Sequence, residues 1–130
     1  MTNNDLLRCR DIPRELGSLR RRIADLRSSA SWSPVASGMS DGVHGGGSDD
    51  RMAAYLSQVE RLADRLLERV VELEALRQSI DLWADTLPAQ QGQIIRLRYV
   101  EGMSWQRVAR ATHYDERHVR RIHAAALTRL

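Results

Sequence analysis

The feature that most constrains this chain is a long apolar repeat in its middle. Met52, Leu56, Val59, Ala63, Leu66, Val70, Leu73, Ile80, Ala84 and Leu87 follow a seven-residue pattern with one polar break, Arg77. Alternating steps of four and three return a side chain to the same face of an α-helix, so the repeat predicts one long amphipathic helix over 51–87. A second row, Tyr55, Leu62, Leu76 and Trp83, widens the stripe. A two-position seam suits a simple coiled coil, and a wider one suits packing against more than one neighbour. Arg61, Arg65 and Arg69 with Glu68 and Glu72 read as intrahelical pairs on a solvated face. Arg77 in the seam has two readings: a side chain that snorkels to water, or a polar residue that sets the register of a pair.

A second amphipathic helix precedes it, within 1–30. Ile12, Leu16, Leu19, Ile23, Leu26 and Ala30 recur at steps of 4, 3, 4, 3, 4. Pro13 fits the first turn of a helix, where its missing N–H costs nothing, and Asp11 fits the cap before it. On this reading residues 5–10 form a short extra turn or fray. Between the two helices, residues 31–50 hold five of the eight glycines, Pro34 and five serines, and read as a flexible loop. Trp32 in that loop either folds back onto the helices or docks a partner. The glycines do not make a phosphate cradle, because no strand precedes them and no Lys-Ser/Thr pair follows.

Helix lengths then bear on assembly. A first helix of about 18 residues spans roughly 27 Å, and a second of about 37 residues spans roughly 55 Å. Folded back antiparallel, the first covers half of the second. Val70, Leu73, Leu76, Ile80 and Trp83 are left to be buried by the C-terminal segment or by a second copy, and a homodimer is the expectation.

Leu87-Pro88 ends the long helix. A further helix carries Ile94, Ile95, Leu97, Tyr99 and Val100 and stops at Gly102, a residue suited to a left-handed cap. Ser104 caps a short helix, Trp105 to Ala111. Thr112-His113-Tyr114 makes a tight turn, and Asp115 caps a last helix from Glu116. Two helices joined by so short a turn form the helix-turn-helix pattern of double-stranded DNA readers. Val119 and Ile122 are expected to pack on Val108 and Ala109. That turns Glu116, Arg117, Arg120 and Arg121 outward as the base-reading set. Arginine offers a planar fork to guanine and to phosphate. Ser104 with the N–H groups of Trp105 and Gln106 offers a phosphate site. Arg107 and Arg110 flank the backbone, and His118 adds a phosphate contact, stronger when protonated. Trp105 either stacks on DNA or packs against Tyr99 or Leu97.

The run from Leu87-Pro88 through Ile94-Ile95-Arg96-Leu97-Arg98-Tyr99-Val100-Glu101-Gly102-Met103-Ser104-Trp105, with Val108-Ala109 and His118 to Leu127, resembles region 4 of bacterial sigma factors. That region reads the promoter −35 element. The layout as a whole is similar to small phage-encoded, sigma region 4-like transcriptional regulators of the RinA and ArpU type. The resemblance implies an all-α chain: an N-terminal helical hairpin or coiled coil with a Gly/Ser-rich loop, then a helix-turn-helix domain over 88–130. It implies promoter DNA as partner, host RNA polymerase as a second contact, and the bacterial host cytoplasm as setting. It places Arg98, Ser104, Trp105, Arg107 and Arg110 against phosphates. Departures accompany it. Glu116-Arg117 reverses the Arg-Glu pair usual at the first outward positions, and Arg121 stands where Gln is common, so a different DNA sequence is read. No counterpart of the part that melts the −10 element is present.

Other classes are disfavoured. No uncharged apolar stretch approaches 18 residues, so no membrane span is expected. Asp5, Arg8, Arg10 and Asp11 do not fit a signal peptide. The single cysteine, Cys9, reads as a small buried thiol. His113, His118 and His123 are not spaced as metal ligands on one helix, and no catalytic set or nucleotide loop occurs, so neither cofactor nor enzyme activity is expected. The competing class is a phage assembly protein, such as a small DNA-packaging (terminase) subunit, in which the long helices oligomerise. Charge favours DNA. All 20 basic residues are arginine; residues 1–87 hold 12 of them against 14 acidic side chains, a net of −2, and residues 88–130 hold 8 against 3, a net of +5.

Overall fold

The computed structural model describes residues 1–31 and 45–130. Among these the chain is all-α, with five α-helices, one π-helical turn and no strand. They are α1 (Asn3–Ser31), α2 (Gly45–Asp85), α3 (Ala89–Ile95), the π turn Arg96–Val100, α4 (Trp105–Thr112) and α5 (Glu116–Leu127). No described helix is long and apolar enough to cross a membrane.

The first helix corrects the sequence reading at its start. It begins at Asn3, and Pro13 lies inside it rather than in its first turn. The cap is Thr2, not Asp11. The Thr2 hydroxyl accepts from the Asp5 N–H at 3.1 Å, while the Asp5 carboxylate accepts from the Thr2 N–H at 2.9 Å. This reciprocal capping box supplies partners for two N–H groups. The proline removes one intrahelical bond, a cost of about 3 kcal/mol. Leu6 and Ile12 offset it: both are fully buried, and burying such a side chain contributes about 1.5–3 kcal/mol.

The Gly/Ser-rich segment expected as a loop over 31–50 is helical at both of its described edges. Ser31 ends α1, residues 45–50 are the first turns of α2, and residues 32–44, with Trp32 and Pro34, lie outside the described residues. Once a helix is nucleated each added residue contributes a hydrogen bond, so α2 extends back into glycines that could not start it alone.

The chain divides into two compact units, residues 1–13 with 71–130, and residues 14–70. The division does not fall at Pro88: the C-terminal helices share their unit with the start of α1 and the end of α2. Arg8 grips Glu72 with two bonds of 2.6 and 3.0 Å. Cys9, buried, donates its thiol to the Tyr99 carbonyl at 3.5 Å. Arg96 reaches back from the π turn to Asp81 at 2.5 Å and also pairs with Asp85. Gly92 lets α3 approach α2: a Cβ there would stand 2.6 Å from the Ala84 carbonyl oxygen.

This unit corrects part of the expected oligomer surface. Leu73 and Ile80 are buried within the single chain, Leu76 and Trp83 are half-buried, and only Val70 of the five is exposed. Arg77 is half-buried and bonded to Glu74 at 2.9 Å, which is an internal role. In the other unit, Leu16, Leu19 and Leu62 are buried and Arg69 pairs with Glu15 at 3.0 Å.

Candidate nucleic-acid interface

Local side-chain chemistry sets the C-terminal helices. The chain leaves the π turn through Gly102, whose φ of +69° is a conformation glycine adopts freely. The Ser104 hydroxyl accepts from the Arg107 N–H at 3.3 Å and caps α4. His113 ends α4 in the left-handed region at φ 60°, and the Asp115 carboxylate caps α5 by accepting from the His118 N–H at 2.7 Å. Ile94, Val108, Val119 and Ile122 close a small core, with Leu97, Met103, Trp105, Ala109 and Tyr114 packed around it.

With Val119, Ile122 and Ala126 turned in, the opposite side of α5 is polar. Arg117 and Arg121 are exposed there, and among the described residues neither is paired with a carboxylate. Arg120 is also exposed but is not free. Its guanidinium pairs with Glu116 at 2.8 Å, one turn back, and lies 5.3 Å from the centre of the Trp105 ring. The four outward residues are therefore two open forks and one internally satisfied pair.

The residues placed against phosphate also divide. Arg107 and Arg110 are exposed on α4 and border a shallow recess with Met103 and Ala111. Arg98 is turned inward. It donates to the Met103 carbonyl at 2.8 Å and stacks 4.3 Å over the Trp105 ring. Burial, with Arg10 nearby, pulls its pKa down. Trp105 is half-buried, with the His123 ring edge-on at 4.8 Å. Both are parts of the packing under α5 rather than open contacts. His118 packs edge-on against Tyr114 at 4.9 Å, and the Tyr114 hydroxyl accepts from Gln90 at 2.6 Å.

His123 is the residue that the sequence reading undervalued. Its Nε2 shares a 2.7 Å hydrogen bond with the Tyr99 hydroxyl. Burial first, then the charges of Arg98 and Arg10, lower its pKa to about 4. Burial likewise raises that of Tyr99. The pair is thus neutral near pH 7 and supports Trp105 from below. No pattern of spacing reveals this, because the partners come from three separate elements. Among the described residues no cluster of His, Cys, Asp or Glu is arranged to hold a metal.

Residues 47–128 match a family described as "Protein of unknown function (DUF722)". The chain belongs to the DUF722 family. The match takes in nearly all of α2 and every helix after it, so the DUF722 span includes the whole arginine face. No curated protein and no solved structure matches the chain.

Proposed function

We propose that this DUF722 protein is a sequence-specific regulator of transcription that binds double-stranded DNA through α4 and α5. The observation that carries the reading is the outer face of α5, where Arg117 and Arg121 stand exposed beside a helix held by side-chain caps and a closed core. In a helix-turn-helix the second helix enters the major groove, and an arginine fork there pairs with guanine O6 and N7. Arg107 and Arg110 on α4 supply phosphate contacts that position the helix without reading sequence. The Glu116–Arg120 pair presents a carboxylate and a guanidinium together, a combination that discriminates against wrong bases by leaving one partner unpaired.

The net charge of +5 over residues 88–130 supplies the salt-dependent part of affinity. The likeness to phage-encoded sigma region 4-like regulators makes phage promoter DNA the target, the host RNA polymerase the second partner and activation the expected outcome. Selection of bound duplexes from a random library tests the reading. A single enriched motif, recovered at moderate salt, is the expected result. Recovery of no motif would count against groove reading.

A further inference from the structure

Within residues 14–70, α2 carries two apolar rows. Successive helical residues lie about 100° apart, so Tyr55, Leu62 and Arg69 fall on one row. That row turns to α1: Leu62 is buried, Tyr55 half-buried and Arg69 bonded to Glu15. Met52, Leu56, Ala63, Leu67 and Val70 fall on a second row, about 100° round the helix. This row is open: Met52 is 43% exposed, Leu56 50%, Leu67 63% and Val70 36%. Val59 and Leu66, between the rows, are half-buried. A stripe of this width serves a helix with two neighbours, and α1 fills one place.

The open row stops with the compact unit. Beyond Val70 the same surface continues as Glu74, Arg77, Asp81 and Asp85, which are engaged in ion pairs with one another or with Arg96. On this face apolar exposure is thus confined to about five turns, while Val71 and Leu82 are exposed on other sides of the helix.

We propose that this patch pairs two copies of the chain, α2 against α2, in parallel. The spacing favours a copy of itself as occupant. Met52, Val59 and Leu66 alternate with Leu56, Ala63 and Val70 in steps of four and three, the two-position seam of a coiled coil. Charge beside the seam selects the direction. Glu60 borders it on one side, and α1 lies on the other. Residues 14–31 of α1 hold five arginines against Glu15 and Asp25. In parallel pairing each Glu60 faces the arginine-rich α1 of the other copy. In antiparallel pairing Glu60 faces Glu60 of the partner subunit, and one α1 faces the other, so both edges meet like charge. The seam expected further along, at Leu73 and Ile80, is replaced by this one. The inference does not depend on DNA binding.

Solution mass of the full chain tests it. The mass should be twice 14.8 kDa and should fall to one copy in Leu56→Glu, with helical circular dichroism retained. Leu56→Gln, which adds no charge, should weaken pairing in the same sense if the acidic variant loses its fold. Leu82→Glu, at a position 69% exposed on another side of α2, should leave the dimer intact. In a Cys9→Ser chain, oxidised Met52→Cys should link two copies. A single-copy mass at every concentration, a ring of many copies, or a dimer indifferent to Leu56→Glu and Leu56→Gln would overturn the proposal. So would Met52→Cys chains that link only to Val70→Cys chains.

Discussion

The helices of residues 89–127 and those of residues 14–70 are held together in different ways. In the first region the turns are closed locally, by the left-handed backbone of Gly102 and the side chains of Ser104 and Asp115, and the core side chains Ile94, Val108, Val119 and Ile122 are 8% exposed or less. In the second, Leu16, Leu19 and Leu62 are buried while Met52, Leu56, Leu67 and Val70 remain open. The first is a finished core that leaves Arg117 and Arg121 exposed. The second buries one apolar row and leaves another exposed. A short segment with a closed core can therefore carry exposed arginines without risking its fold, while the longer helices leave an apolar row open.

The largest effect that sharpens this contrast is a core truncation. Ile12→Ala, in the segment that completes the C-terminal unit, should cost about 2–5 kcal/mol in denaturant melts. Leu56→Ala should stay within about 0.5 kcal/mol for dilute single chains, and should cost more once chains associate. Equal costs in dilute solution would erase the distinction.

Acid should weaken the C-terminal unit next. His123 has a pKa near 4 in the folded chain against 6.5 as its ordinary value. The unfolded chain therefore takes up the proton first, and stability present above pH 6.5 is lost as pH falls toward 4. The loss is at most about 3 kcal/mol. His123→Gln should flatten that part of the pH profile, and an unchanged profile would remove His123 as its source. Gly92→Ala should cost about 1–3 kcal/mol, since α3 must back away from the Ala84 carbonyl. Thermal melts that match the parent would show that α3 shifts freely. The smallest effects belong to the caps: Ser104→Ala and Asp115→Ala should each cost about 1 kcal/mol.

How much was legible follows from how local each cause is. Gly102 acts on its own backbone, and Ser104 and Asp115 on N–H groups three residues on, so these helix boundaries could be read from the chain alone. The Thr2–Asp5 box is equally local and was legible in principle, but Pro13 drew the boundary to itself. What buries Leu73 and Ile80 is left open by the chain alone, between the C-terminal segment and a second copy, because it depends on which elements meet; both are buried in a unit made of residues 1–13 and 71–130. The site divides in the same way. The outward side of α5 follows from the 3.6-residue period. The capture of Arg98 by the Met103 carbonyl and Trp105, and of Arg120 by Glu116 and Trp105, depends on which side chains meet across elements.

The central claim is that α5 reads DNA with the open forks of Arg117 and Arg121. Its most direct test is the affinity of the parent, Arg117→Ala and Arg121→Ala for a selected duplex and for single-base variants of it. Each substitution should cost about 1–3 kcal/mol and relax preference at one base position. Arg107→Ala should instead weaken binding to all duplexes and lower the salt slope by about one. Unchanged affinity and unchanged base preference in both Arg117→Ala and Arg121→Ala would contradict the account.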